Sequence, residues 1–325
     1  MTPLYGHDEA VSAFRDALDS GRLHHAWLIA GPQGVGKALF AAKAALRVLA
    51  QGQGRVEAPG LDVPDDHPAA HLVAAGSHPD LMRLERLPRE SSTTGELARS
   101  ITVDQVRGLQ RLFTTTASLS PWRVVVIDSI DDLERGGANA LLKNLEEPPP
   151  RSVFLLVSHA PERLLPTIRS RCRPLRLSSL DDDAMTSALR AALPEAEDKE
   201  IKDLVKAGKG SPGRALAWRG LDIAALDKAM ADLVRDGDPT NARRAALAQS
   251  LALKSAQPRY EAFLARAPSL IASEAKSRSG PALAEALALW ERAQGLAAGA
   301  RGLSLEPESV AFELGGMLAS LAPSR

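Results

Sequence analysis

Seven residues, Gly31-Pro-Gln-Gly-Val-Gly-Lys37, follow the spacing G-x-x-x-x-G-K. Glycines at Gly31, Gly34 and Gly36 let backbone N–H groups close on an anion, and Lys37 reaches its outer oxygens, so the chemistry is phosphate binding. The pattern should finish in Ser or Thr, whose hydroxyl holds magnesium, but the next residue is Ala38. A second run, Arg123-Val-Val-Val-Ile-Asp128, ends in an acid suited to help hold that metal. The residue after it, where a glutamate would activate water, is Ser129. Asp131 and Asp132 come too late to take the same strand-end position. One ligand for metal and one for water are therefore missing, and hydrolysis is not expected. Taken alone, the first stretch would also suit a glycine-rich turn, and the second a buried strand with a capping aspartate.

The surrounding elements favour a working phosphate cradle. His25-Ala-Trp-Leu-Ile-Ala30 is an apolar run suited to a buried strand, and Leu39 to Leu49 has a helix pattern. A helix starting at the loop adds its partial positive charge to the anion site. Further on, helix is expected from Ile101 to Phe113 and from Ala138 to Glu146. Strands are expected over Val124–Asp128, Val153–Ser158 and Pro174–Leu177. This alternation implies an α/β domain with a parallel sheet and helices on its faces. Residues 51–100 are rich in Gly, Pro, Asp and Ser and read as irregular. We divide the chain into an α/β phosphate-loop domain over 1–178, a small helical lid over 179–220 and an all-α region over 221–325. Asp181 to Asp183 can cap the first lid helix. Breaks in the last region fall near Gly237-Asp-Pro239, Gly280-Pro281 and Pro307.

Composition limits the function. The 325 residues carry 40 basic and 40 acidic side chains, so no global charge argues for strong nucleic-acid binding. One cysteine excludes an internal disulfide framework and a multi-cysteine zinc site. The N-terminus lacks the basic-then-apolar pattern of a signal peptide, and no apolar run is long enough for a bilayer. A cytoplasmic location without membrane partners is expected.

The stretch from Asn139 to Cys172 carries a resemblance. It contains Leu-Leu-Lys-Asn-Leu-Glu-Glu-Pro-Pro, then Val-Phe-Leu-Leu-Val-Ser-His, then Pro-Glu-Arg-Leu-Leu-Pro-Thr-Ile-Arg-Ser-Arg-Cys. This resembles clamp-loader subunits of the AAA+ class, down to the Ser170-Arg171-Cys172 motif. Tyr5-Gly-His and Leu23-His-His-Ala resemble the N-terminal segment of the delta-prime branch of that family. The resemblance is dense over 4–50 and 101–218, and only architectural beyond. It implies an AAA+ domain, a lid and a helical collar. It also implies a hetero-pentameric ring with delta and ATP-hydrolysing tau/gamma subunits, acting on a sliding clamp and primed DNA. Such a chain is a structural, non-hydrolysing part of DNA polymerase III, and the DNA-directed DNA polymerase activity belongs to the holoenzyme.

The resemblance also gives residues their roles. Arg171 would be an arginine finger, entering a neighbouring tau/gamma ATP site in trans. The alternative is a surface arginine in a basic cluster with Arg169, Arg173 and Arg176. Ser158 falls at the sensor 1 position and Arg214, in Gly210-Ser-Pro-Gly-Arg214-Ala, at sensor 2. These could equally be a strand-end polar residue and a turn entering a helix. Cys172 reads as a packed hydrophobe. With Gly31, Gly34, Gly36, Lys37 and Asp128, Ser158 and Arg214 complete a degenerate nucleotide site that is compatible with ATP or ADP held without hydrolysis. No cofactor is required.

One departure stands out. Delta-prime subunits commonly carry a four-cysteine zinc module after the first helix, and this chain has no cysteine there. His67, His71 and His78 lie among prolines, glycines and aspartates, which read as a solvated loop, and no zinc is expected. Two other classes compete with the clamp-loader reading. An active AAA+ ATPase motor is opposed by Ala38 and Ser129. A stand-alone DNA-binding protein is opposed by the neutral charge.

Overall fold

The computed structural model describes residues 2–89, 97–114, 116–303 and 305–323. They form two compact units, one up to Ala215 and one from Leu216 onward.

The first unit is built on five parallel strands. In chain order they are β1 Ala26–Ala30, β2 Leu81–Glu85, β3 Arg123–Asp128, β4 Ser152–Ser158 and β5 Arg173–Arg176. Their order across the sheet is β2-β3-β4-β1-β5. Every residue of β4 is buried. That suits the central strand of a parallel sheet covered on both faces, where an unbroken apolar run replaces alternation.

Ten helices lie in or at the end of this unit. They are α1 Asp8–Asp19, α2 Lys37–Gln53, α3 Pro68–Ala74, α4 Val103–Arg107, α5 Leu109–Thr114, α6 Arg135–Glu146, α7 Pro166–Arg169, α8 Asp182–Ala192, α9 Asp198–Gly208 and α10 Pro212–Ala217. One face of the sheet presents Trp27 to Phe14 of α1, which also meets Phe40 of α2, with ring centroids 5.0 and 6.0 Å apart. The other face packs Leu28, Val125, Ile127, Phe154 and Leu156 against Leu109, Leu141 and Leu145. Leu141 and Leu145 are one turn apart on α6, and Ala138 and Leu142 flank them at the edge of the core. That is the apolar face expected from their spacing. Asp181 caps α8, accepting from the Ala184 N–H at 2.8 Å.

Two expectations change. The helix foreseen over Ile101–Phe113 is two short helices, α4 and α5, with Gly108 between them. Ile101 instead bridges to Leu133. Thr102 and Gln105 then form a capping box that fixes where α4 starts. The stretch 51–100, expected to be irregular, contains α3 and the edge strand β2 (residues 90–96 lie outside the described residues). Pro68 does not prevent α3 because it occupies the first turn, where its missing N–H is not needed. His67, foreseen in a loop, caps this helix by accepting from the Ala69 N–H at 3.1 Å.

Buried polar residues organise this stretch. Arg47 of α2 is fully buried and donates to the carbonyls of Val56, Ala58 and Asp62 at 2.7, 2.9 and 2.7 Å. Arg15 adds bonds to Ala58 and Gly60 at 3.3 and 2.8 Å. Lys43 pairs with Asp62 at 2.5 Å. This segment is folded around cationic side chains.

Asp80, just before β2, accepts the N–H groups of Ser118, Leu119 and Ser120 at 2.8, 2.8 and 2.9 Å. Burial pushes its carboxyl pKa up, but the three N–H donors and His78 pull it down further, and the net shift is downward. A depressed folded pKa means that this stabilisation is present above the unfolded value of about 3.9. It is lost as pH falls through the lower folded value. Asp80→Asn puts an NH₂ group where one carboxylate oxygen accepts, and should destabilise by about 2–4 kcal/mol at pH 7. Urea unfolding checks this, and the gap to the parent should shrink as pH falls below the unfolded value of about 3.9.

The second unit is helical: α11 Ile223–Asp236, α12 Ala242–Ala252, α13 Gln257–Ala275, α14 Gly280–Leu303 and α15 Pro307–Ala319. Helix α15 packs against all four others. Breaks fall at the foreseen Gly237, Gly280 and Pro307 positions, with an additional one at Leu253 to Ala256. Arg266 is buried and pairs with Asp227 through two nitrogens, its guanidinium 4.8 Å from the Trp218 ring centroid.

Candidate functional site

The phosphate loop joins β1 to α2 in the order strand, glycine loop, helix. Its glycines have backbone angles that favour no other residue: φ is +80° at Gly34 and +109° at Gly36. A Cβ at Gly34 would meet Ser211 Oγ at 2.5 Å and the Arg214 nitrogen at 2.8 Å. The loop is therefore in direct contact with the start of α10, which carries Arg214. Ser211 Oγ donates to the Gln33 carbonyl at 2.7 Å, and the Gly213 N–H to the Gly34 carbonyl at 2.8 Å. On the other side, the ring of His7 contacts the Val35 carbonyl through Nε2 at 2.8 Å. The Tyr5-Gly-His segment thus has a local physical role: it ties the N-terminus to the loop.

Lys37 turns back on its own loop. Its Nζ donates to the carbonyls of Gly31 and Pro32, both at 2.7 Å. Burial lowers its pKa to about 8, opposed by Asp131 and Asp128. Burial also raises the Asp128 pKa, against the pull of His159, Arg83 and Lys37. His159 is lowered by burial and then by Lys37. Lys37, Asp128 and His159 are each pushed toward the neutral form.

The hydroxyls at the strand ends are already engaged. Ser158 is fully buried and donates to Asp131 Oδ1 at 2.9 Å. A hydroxyl has one proton to donate, so in this arrangement it gives none to a phosphate. Ser129 donates to Asp132 Oδ2 at 3.0 Å. Asp131 also accepts the N–H groups of His159 and Ala160 at 2.7 and 3.2 Å. It ties the end of β3 to the end of β4. By sequence, Asp131 comes too late for the water-activating position held by Ser129. Its actual role depends on β3 and β4 being neighbours, which only the sheet order reveals.

A magnesium ion does not fit this donor set well. Ala38 supplies no side-chain hydroxyl, and Asp128 is the remaining side-chain ligand at the expected positions. Among the described residues no group of three or more His, Cys, Asp or Glu could hold a metal ion.

Arg171 lies apart from these residues in sequence, in the turn after α7 and before β5. It is half-buried, with its guanidinium paired to Glu146 at 2.9 Å. Cys172 beside it is buried in the core, and burial alone raises its thiol to about 12. It is an unreactive packing residue.

Strand order, a phosphate loop after β1 and the helices α8 to α10 after the sheet define this chain's first unit as an AAA+-type domain. The chain belongs to the family described as DNA polymerase III, delta subunit, whose model matches residues 6–181. It is 38% identical over 199 residues to DNA polymerase III subunit delta' of Pseudomonas aeruginosa, covering 61% of this chain and 57% of that protein. To the delta' subunit of Escherichia coli it is 33% identical, covering 68% of this chain and 64% of that one. A tau/gamma subunit of Haemophilus influenzae is 30% identical over 69% of this chain and 31% of its own length. The matches therefore span less than two thirds of each of these relatives.

No helix among the described residues is long and apolar enough to cross a membrane.

Proposed function

We propose that this chain is the delta-prime-type subunit of a bacterial clamp loader. In this reading it is cytoplasmic and joins delta and tau/gamma subunits in a five-membered ring. The ring opens a sliding clamp and places it on primed DNA, and this chain hydrolyses nothing itself. Arg171 enters the ATP site of an adjacent tau/gamma subunit, and the helices from about residue 221 onward join the collar. The loop at Gly31–Lys37, with Asp128 and Arg214 beside it in the family pattern, is a degenerate nucleotide site. ATP or ADP can occupy it without turnover, no cofactor is needed for the ring role, and zinc has no part.

The observation that supports this best is a contrast within one family pattern. Positions for hydrolysis are absent at Ala38 and Ser129, and Ser158 is engaged by Asp131. The arginine that would serve a neighbour keeps 35% of its side chain exposed. A chain that has lost its own chemistry and retained the trans-acting group is what a structural ring member requires.

Assembly tests this reading. Mixed with purified delta and tau/gamma subunits, the chain should elute with both as one complex in gel filtration. Elution as a free monomer beside a ring that loads clamps normally would contradict it.

A further inference from the structure

Glu146 ends α6, and Arg171 follows α7, yet their side chains meet. Arg171 Nη2 donates to Glu146 Oε1 at 2.9 Å. Arg171 Nη1 donates to the Thr167 carbonyl at 3.0 Å and to Ser170 Oγ at 3.4 Å. Oxygens of its own chain hold both terminal nitrogens while the side chain remains 35% exposed.

Glu146 itself is 48% exposed, so the pair contributes little to stability. Its consequence is geometric. A free arginine side chain loses rotamer freedom on meeting an anion, and a guanidinium fixed in advance loses less of it. The same segment is also fixed at its start, where Asp131 accepts the His159 and Ala160 N–H groups. Two carboxylates thus pin the stretch from His159 to Arg171 at both ends.

We propose that Glu146 is a positioning residue for Arg171, holding the guanidinium ready for the phosphate charge of a nucleotide bound by an adjacent subunit. The proposal rests on the trans role of Arg171 given above.

The test uses rings rebuilt with wild-type chain, Glu146→Ala, Glu146→Gln, Arg171→Ala and the Glu146→Ala/Arg171→Ala pair. ATPase kcat and KM are measured for each ring, with urea unfolding of each isolated chain. Glu146→Ala should lower ring kcat by part of the loss that Arg171→Ala gives and never by more, because only the site served by Arg171 is affected, with KM and unfolding midpoint unchanged. Glu146→Gln keeps an acceptor oxygen and should recover part of the loss. The double variant should be no slower than Arg171→Ala. A Glu146→Ala ring at or above wild-type kcat, or losses that multiply in the double variant, would overturn the proposal. Wild-type kcat for Arg171→Ala would instead sink the trans role, and the positioning role with it. A loss confined to Glu146→Ala would then give Glu146 a function independent of Arg171.

Discussion

Arg171→Ala is expected to leave this chain folded and the ring assembled while lowering clamp loading and clamp-dependent ATPase. Folding should survive because the side chain is partly exposed and its ion pair is a surface one. Arginine fingers contribute about 10³–10⁵ in rate at the site they serve, so loading by the ring should fall about tenfold or more. The fall in total ATPase should be smaller, since other sites in the ring keep their own arginines. Arg171→Lys should rescue poorly, because an ammonium lacks the planar fork that spans two phosphate oxygens. The effect should be invisible in the isolated chain. Loading at the wild-type rate by rings carrying one clean mutant subunit would reject the role. A ring that fails to form would make Arg171 a structural residue.

The second large effect concerns stability. Arg47→Ala should cost about 3–5 kcal/mol, because the buried guanidinium's bonds to three carbonyls are lost, leaving Val56 and Asp62 without that donor and Ala58 with Arg15 alone. Arg47→Lys should recover little, since one ammonium cannot follow the fork that reaches Val56, Ala58 and Asp62 together. Urea unfolding gives the magnitude, and limited proteolysis between residues 55 and 62 should show where the fold opens. A loss under about 1 kcal/mol would mean that apolar packing around Leu46, Val56 and Ala69 holds this segment without the arginine.

The same segment shows where the sequence was readable and where it was not. The strand at Ala26, the glycine loop and α2 were legible because period, glycine spacing and helix pattern all agree there. β3 and β4 were legible as unbroken apolar runs, the mark of buried parallel strands. β2 was not. It is an edge strand of five residues with Arg83 and Glu85 on its solvent side, so its apolar signal is thin. α3 was hidden by prolines and glycines that mark turns in general but here flank or open a helix. Arg47 looked like any cation on a helix, since only the folded loop shows that it faces carbonyls.

The candidate site divided in the same way. Missing groups, at Ala38 and Ser129, needed only a pattern to compare with. Engaged groups needed the fold. Asp131 and Ser158 are 27 positions apart, and Glu146 ends α6 while Arg171 lies in the turn after α7. A sequence lists the hydroxyl of Ser158 but not the carboxylate that accepts its hydrogen bond. Asp80 is a further case, with three N–H partners about 40 residues away.

The most direct measurement is steady-state ATP turnover by the purified chain alone, with magnesium present. No turnover above background is expected, because a metal-binding hydroxyl is absent at Ala38 and a water-activating glutamate at Ser129. Weak nucleotide binding without product would agree with this. Sustained turnover that disappears in Lys37→Ala would contradict it, and would make this chain a motor in its own right.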